Sequence, residues 1–161
     1  MLNRRLLVVS LVAATLATAT PARADITAFL GVSTSPSNRM AKGVAFGTGL
    51  LAVGFEFEYS DIAEDEVEAA PGVRAGMFNA VLQTPIPVAG VQFYVTAGGG
   101  IYRERLVEVS ETNFVVNLGG GAKITLLGPI RLRVDYRQLR LRGTPLLDRY
   151  HRFYAGLNLA F

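Results

Sequence analysis

Strict alternation of apolar and polar residues is the feature that most constrains the fold of this chain. The segment LAVGFEFEY, residues 51–59, places its large apolar side chains at odd positions and Glu56 and Glu58 at even ones. In IRLRVDYR, residues 130–137, three arginines and Asp135 all fall on the side opposite the apolar residues. Successive side chains of a β-strand point to opposite faces, whereas a helix would spread these charges around its circumference. Both segments are therefore predicted to be strands with one apolar face.

Turn-forming residues divide the chain into eight segments with this alternation. The predicted strands are 26–34, 43–49, 51–61, 73–84, 91–105, 112–126, 130–141 and 150–161. Short connections at 49–50, 85–90 and 127–129 alternate with more polar ones at 35–42, 61–72, 106–111 and 142–149. In an up-and-down barrel this order puts the tight turns at one end and the polar loops at the other. Eight membrane spans of about 10 residues each fit the length of the chain.

The character of the polar faces separates two kinds of barrel. A soluble, lipocalin-like barrel carries its charges outside, whereas a membrane barrel has an apolar exterior and a polar interior. The polar faces of 91–105 and 112–126 consist mainly of Gly, Gln, Thr and Asn, and Lys123 is the only charge in their central parts. Small neutral side chains suit a narrow interior better than a solvated surface. We therefore predict an all-β fold, an eight-stranded antiparallel up-and-down transmembrane β-barrel.

The start of the chain has the three parts of a cleavable signal peptide. Two arginines at 4–5 precede an apolar stretch, 6–17, that is too short to span a bilayer, and ARA at 22–24 is a small-x-small cleavage site. We predict residues 1–24 as the signal peptide and 25–161 as the barrel domain. After cleavage the 13 Asp and Glu would balance the remaining Lys and Arg, so nothing indicates a nucleic-acid partner. The absence of cysteine excludes disulfides and thiol catalysis.

The C-terminal sequence YAGLNLAF, residues 154–161, completes a recognisable pattern with the signal peptide, the alternating strands and the Gly-rich inward faces. This pattern resembles the small OmpA/OmpX-type outer-membrane β-barrel domain family over nearly all of 25–161. The resemblance implies export through the periplasm into the outer membrane, contact with outer-membrane lipid, and recognition of the terminal Phe161 by the barrel-assembly machinery. It implies no cofactor and no metal, and we expect a monomer. The family includes structural anchors, adhesins, small pores and lipid enzymes, so the activity stays open.

Charged residues on the predicted inward faces form the main candidate site. They are Glu56, Glu58, Lys123, Arg131, Arg133, Asp135 and Arg137. An unpaired charge inside a narrow barrel is costly and both signs are present, so we predict an ion-pair network that plugs the lumen. We expect Glu56 and Glu58 to pair chiefly with Arg131 and Arg133. The alternative is a hydrated, porin-like lumen that passes small solutes.

Features near the polar loops have weaker functional interpretations. His151, the only histidine, could serve an outer-membrane lipid hydrolase together with Ser33 or Ser110 and Asp148, although the sequence sets no distance between them. The acidic segment 61–68 lacks the pattern of a calcium loop and is expected to be solvated. A group of arginines could hold lipid phosphates or neutralise the acidic segment. This group is Arg103, Arg105, Arg140, Arg142, Arg149 and Arg152. We predict a protein that is not an enzyme.

Overall fold

The structure, a computed structural model, describes residues 23–161, which form one closed barrel of eight strands. The strands are β1 (Arg23–Ser33), β2 (Arg39–Leu50), β3 (Val53–Ile62), β4 (Gly72–Gln83), β5 (Val91–Leu106), β6 (Val109–Leu127), β7 (Ile130–Leu141) and β8 (Arg149–Ala160). Each strand pairs antiparallel with the next, and β8 closes the barrel by pairing with β1 from Asp25↔Ala160 to Ser33↔Arg152. The predicted eight-stranded antiparallel barrel is confirmed.

Most of the predicted signal peptide lies outside the described residues. Its last two residues, Arg23 and Ala24, begin β1 and lie opposite Gly49 and Thr48 of β2. Cleavage after Ala24 stays a prediction. The described part of the chain contains no helix that is long and apolar enough to cross a membrane.

The connections between strands alternate between the two ends of the barrel. The turns 51–52, 84–90 and 128–129 lie at the end that holds Phe161, which we call the terminal end. The connections 34–38, 63–71 and 142–148 lie at the opposite end, which we call the loop end. This distribution follows the predicted alternation of short and polar connections.

One connection at the loop end contradicts the prediction. The polar loop predicted at 106–111 is wrong, because β5 and β6 continue to a two-residue turn at Val107 and Glu108. Arg105 pairs with Ser110 in this extension, so the backbone keeps its hydrogen-bond partners although the side chains are polar. β2 likewise begins at Arg39, earlier than predicted. Polar side chains at these positions mark the end of the apolar surface and not the end of the strands.

Alternating burial along the strands confirms the predicted faces. On β3, Phe55 and Phe57 are exposed outward, whereas Glu56 and Glu58 are buried inside the barrel. The outward face of β8 follows the same rule, since Leu157 is 61% exposed. Large outward apolar residues occur on all eight strands and include Ile26, Leu30, Phe46, Phe55, Phe57, Phe78, Phe93, Ile101, Phe114, Leu118, Ile130, Phe153 and Leu159. A surface of this kind is typical of a barrel that contacts lipid.

Two layers of side chains fill the lumen. The layer near the loop end is apolar, which the sequence analysis did not predict. Its members are Ala41, Ile62, Val73, Ala75, Met77, Tyr102, Val115, Leu139, Leu141 and Tyr150. The layer nearer the terminal end is charged and contains the predicted site residues.

Glycines on the inward face of β6 leave space for the large charged and aromatic side chains of that second layer. A Cβ added to Gly121 would lie 2.7 Å from the hydroxyl oxygen of Tyr94 and against the carbonyl oxygen of Val134. A Cβ added to Gly119 would lie 2.8 Å from Cγ of Arg137. These positions need glycine because another chain segment approaches the backbone closely.

Candidate functional site

The candidate site is a column of charged side chains inside the barrel, which we call the lumenal charge column. β3 and β7 supply most of it, because inward positions recur at every second residue of a strand. Its members are Asp25, Glu56, Glu58, Lys123, Arg131, Arg133, Asp135, Arg137 and Arg152. The side chains of Arg133, Arg137 and Arg152 are fully buried. Their charges therefore need partners inside the protein.

Two acids and two arginines alternate at the centre of the column. Arg133 pairs with Glu56 and, at 3.2 Å, with Asp135. Arg137 pairs with Glu56 at 2.7 Å and with Asp135 at 3.1 Å. Both carboxylates are thus shared by both guanidinium groups, and the four formal charges cancel. Charge-assisted pairs with several partners offset the desolvation of buried ions best.

Glu58 joins two arginines that face each other on neighbouring strands. Arg137 and Arg152 lie directly opposite each other in the register of β7 and β8. Glu58 reaches across from β3 and pairs with Arg137 Nη1 at 2.8 Å and with Arg152 Nη2 at 2.6 Å. Like charges at directly opposite positions destabilise a sheet, so this bridging carboxylate stabilises the contact between β7 and β8.

The lower part of the column adds a partner for Arg131 that was not predicted. Arg131 Nη2 lies 3.2 Å from the carboxylate of Asp25, which the sequence analysis did not name as a partner. Lys123 Nζ lies 2.5 Å from the same carboxylate oxygen. The reason is height in the barrel, because Arg131 lies two residues closer to the terminal end than Arg133. Asp25 was missed, although its inward position on β1 follows from the same alternation.

Aromatic rings and polar side chains fill the space between the charges. Arg133 lies over the ring of Tyr94, with its guanidinium carbon 4.7 Å from the ring centre. Arg152 lies over the ring of Phe29 at 5.1 Å. The Tyr94 hydroxyl donates a hydrogen bond to Asp135 and accepts one from Nε of Arg133. Ring faces of this kind stabilise buried cations.

A cavity of about 310 Å³ lies below the central pairs, toward the terminal end. The charged and amide side chains in its wall are Asp25, Glu56, Gln92, Lys123 and Arg131. Above this cavity come the central ion pairs and then the apolar layer. Water can occupy this cavity, which we call the lower vestibule, whereas the lumen toward the loop end consists of packed side chains.

Two buried charges at the loop end were also missed. Arg39 donates hydrogen bonds to the backbone oxygens of Ser35 at 2.7 Å and Ala63 at 3.1 Å. Glu104 accepts the Tyr150 hydroxyl at 2.8 Å. Arg39 lay in a predicted connection, and the partners of both residues are loop groups or a distant strand. They hold the loops against the top of the barrel and take no part in the charge column.

The residues of the suggested hydrolase site do not come together. His151 faces outward, and its Nδ1 lies 2.8 Å from the hydroxyl oxygen of Tyr136. Ser33 is buried on the inward side of β1, where its hydroxyl hydrogen-bonds to the backbone of Ser35. Within residues 23–161, neither a serine hydroxyl nor a carboxylate hydrogen-bonds to the His151 ring. The same part of the chain contains no cluster of three or more His, Asp or Glu that could hold a metal.

Charged residues at the loop end divide into paired and exposed groups. Arg105 donates to Glu64 at 3.2 Å, and the same carboxylate accepts the Val107 N–H at 2.6 Å. These bonds, with the backbone donor first, hold the pKa of Glu64 below its usual value. The prediction that Arg152 joins this outer basic group is wrong, because its side chain is buried in the lumen. Arg103, Arg105, Arg140, Arg142 and Arg149 are exposed at the loop end.

Comparison with solved structures gives the same architecture. The structure superimposes on Neisserial surface protein A (NspA) with a TM-score of 0.69 and 13% sequence identity, covering 89% of this chain and 99% of that one. It matches the N-terminal β-barrel domain of Pseudomonas aeruginosa OprF with a TM-score of 0.64 and 15% identity, covering 86% and 97%. The outer membrane enzyme PagL matches with a TM-score of 0.55 and 15% identity, covering 84% and 98%.

The fold and the filled polar interior define a small eight-stranded barrel of the type found in outer membranes. The resemblance to OmpA/OmpX-type barrels seen in the sequence is confirmed at the level of the fold. No protein-family model matches the sequence, and no curated protein is significantly similar to it.

Proposed function

We propose that this chain is a non-enzymatic outer-membrane β-barrel whose lumen is closed by the charge column and whose role is structural or surface-interacting. The observation that carries the proposal is the set of shared ion pairs among Glu56, Arg133, Asp135 and Arg137. Each of these four side chains has at least two ion-pair partners of opposite charge inside the lumen.

The outward surface supports the membrane location. Apolar side chains cover the outward face of all eight strands, and such a surface is stable only against lipid or another apolar phase. Phe161 is 68% exposed, and its N–H donates to the carbonyl oxygen of Ala24 at 2.9 Å. Its ring is therefore free for recognition during assembly while its backbone helps to close the barrel.

Packing inside the barrel favours a plug over a pore. Arg133, Arg137 and Arg152 have no exposed side-chain surface, and the apolar layer lies above them. An ion that crossed the lumen would have to separate pairs such as Arg137–Glu58 and then pass between Ile62 and Leu139. The runner-up function is a small-solute pore, which the lower vestibule would favour if the pairs opened.

The surroundings of His151 argue against a lipid hydrolase. Its Nδ1 bonds to Tyr136, and a nucleophile would have to stand within hydrogen-bond reach of the imidazole. The likeness to the outer membrane enzyme PagL, at 15% identity, shows the fold alone. We expect outer-membrane lipid vesicles incubated with the protein to release no fatty acid. Release that disappears in His151→Ala would overturn this assignment.

Single-channel conductance in planar bilayers tests the plug. We expect no steady conductance from the wild-type protein. The variant Glu58→Ala/Arg152→Ala removes one charge of each sign and two large side chains from the lumen, and we expect it to pass more current than the wild-type protein. A structural control, Arg142→Ala at the loop end, should stay closed. Steady, ion-selective conductance of the wild-type protein would contradict the plug and support the pore function.

A further inference from the structure

Two arginines lie at directly opposite positions of neighbouring strands on the outward face at the loop end. Arg74 of β4 lies directly opposite Arg103 of β5 in the antiparallel register. Arg74 Nε is 3.6 Å from the Asp61 carboxylate, in a pair that is largely exposed. Among residues 23–161, no carboxylate lies within ion-pair distance of the Arg103 guanidinium. Like charges at opposite positions on adjacent strands are destabilising, so an anion that contacted both arginines would stabilise this pair.

The interior of the same barrel shows how such a pair is completed. Arg137 and Arg152 have the same relationship on β7 and β8, and Glu58 pairs with both of them. On the outside, Asp61 pairs with Arg74 alone. The outward pair therefore lacks a carboxylate that serves both arginines, whereas the inward pair has one.

Arg74 and Arg103, together with Asp61, line a cleft of about 290 Å³ at the edge of the apolar surface. The next outward residue of β5 toward the terminal end is Ile101, which is 58% exposed. On the opposite side, the Glu64–Arg105 ion pair borders the cleft. A ligand in this cleft would lie where the apolar surface ends and the polar loops begin.

We propose that Arg74 and Arg103 bind a phosphate group of an outer-leaflet lipid, an inference that rests on the proposed location in the outer membrane. Guanidinium groups bind phosphate through two parallel hydrogen bonds, and two of them match its charge and its several acceptor oxygens. A lipid is the source because the cleft faces outward at the boundary of the apolar surface, the height at which lipid phosphates lie.

The chain offers a control pair with the same charge and register. Arg140 of β7 lies directly opposite Arg149 of β8 on the outward face, and both are exposed. Neither residue lines the cleft of Arg74 and Arg103. Replacing this second pair removes the same charge from the same end of the barrel and leaves the proposed site intact.

Native mass spectrometry of the detergent-solubilised full chain with bisphosphorylated lipid A tests the site. Arg74→Gln/Arg103→Gln should weaken binding of the first lipid A molecule about thirtyfold, the combined effect of two interfacial arginines. Arg140→Gln/Arg149→Gln should retain this first molecule. The wild-type protein should bind dephosphorylated lipid A as weakly as the first variant binds intact lipid A. Heat-dependent migration in gels verifies that each variant forms the barrel.

Three results would overturn the site. Equal weakening by both double variants would show attraction by net charge alone. Equal binding of phosphorylated and dephosphorylated lipid A by the wild-type protein would exclude phosphate as the recognised group, and this comparison needs no variant. Displacement of lipid A by an equal concentration of inorganic phosphate would assign the cleft to free phosphate. Bilayer conductance is measured separately from lipid binding, so none of these results would contradict the proposal that the lumen is closed.

Discussion

Glu56 of β3 and Arg133 of β7 form an ion pair across the lumen, although 77 residues separate them in the chain. The pair therefore depends on closure of the barrel. Both side chains are almost fully buried, and each has a second partner of opposite charge in Arg137 or Asp135. The contribution of this pair to the free energy of unfolding therefore tests whether the lumen is closed.

Removing one member of the pair should be strongly destabilising. Glu56→Gln or Arg133→Met leaves a buried charge short of a partner, and we expect each to lower the free energy of unfolding by about 3–5 kcal/mol. The double variant should lose less than the sum, because both uncompensated charges are then gone. Urea unfolding of the protein in lipid vesicles measures all three.

A hydrated lumen predicts a different outcome for these variants. Solvated pairs contribute about 0–1 kcal/mol, so the effects would be small and additive. The same changes would then alter ion selectivity in conductance recordings. Small additive effects, together with altered ion selectivity, would contradict the plug and support the pore function.

Leu157 and Asn158 are neighbours on β8 that face opposite sides of the barrel wall, so a polar residue should be favoured only at position 158. Leu157 is 61% exposed on the outward face, and Leu157→Arg should destabilise the membrane-inserted barrel by about 2–4 kcal/mol if it lies near the midplane. Asn158 faces inward, where it accepts from Arg131 at 2.8 Å and donates to Thr27 at 2.9 Å. Asn158→Ala should cost about 1–3 kcal/mol. A larger loss for Asn158→Ala in vesicle unfolding would contradict the assigned faces.

Gly121 should not tolerate a side chain. A Cβ there would meet Tyr94 Oη at 2.7 Å, so Gly121→Ala should destabilise the barrel by about 1–3 kcal/mol through overpacking. Gly76→Ala is the matched control, since its Cβ would meet only Phe57 Cζ, at 3.9 Å. Heat-dependent gel migration compares the two. Equal melting of both variants would show that β6 shifts freely away from Tyr94.

Acid should loosen the tip of the β5–β6 hairpin. The Val107 N–H and then Arg105 hold the pKa of Glu64 below its usual value of 4.5. A carboxyl group whose pKa is lowered by folding contributes its full stabilisation at a pH above the usual pKa. This contribution is lost as the pH falls through the lower pKa of the folded state. Hydrogen exchange at Val107, corrected for its intrinsic rate, should show protection that falls on acidification. In Glu64→Gln, protection should be lower and independent of pH in this range.

The alternation of β3 and β7 was visible in the sequence because the side-chain period of a strand is a local property of the backbone. It was enough to place Glu56, Glu58, Arg133 and Arg137 inside the barrel, and the order of connections was enough for the eight-stranded topology. The end of an apolar segment was a poorer guide to the end of a strand. At the β5–β6 hairpin, backbone pairing continues past the apolar surface, so the predicted loop at 106–111 was wrong.

The alternation along β3 and β7 is enough to identify the inward faces of these two strands and to show that their charges are of both signs. The partners of these charges follow from the closed fold, because contacts across a barrel depend on the register and stagger of all eight strands. Register puts Arg131 beside Asp25 and lets Glu58 reach Arg137 and Arg152. It also sets Arg74 opposite Arg103 on the outside, a juxtaposition that no local pattern contains. Pairing between distant segments is a property of the whole chain, and closure of the barrel is the step that creates it.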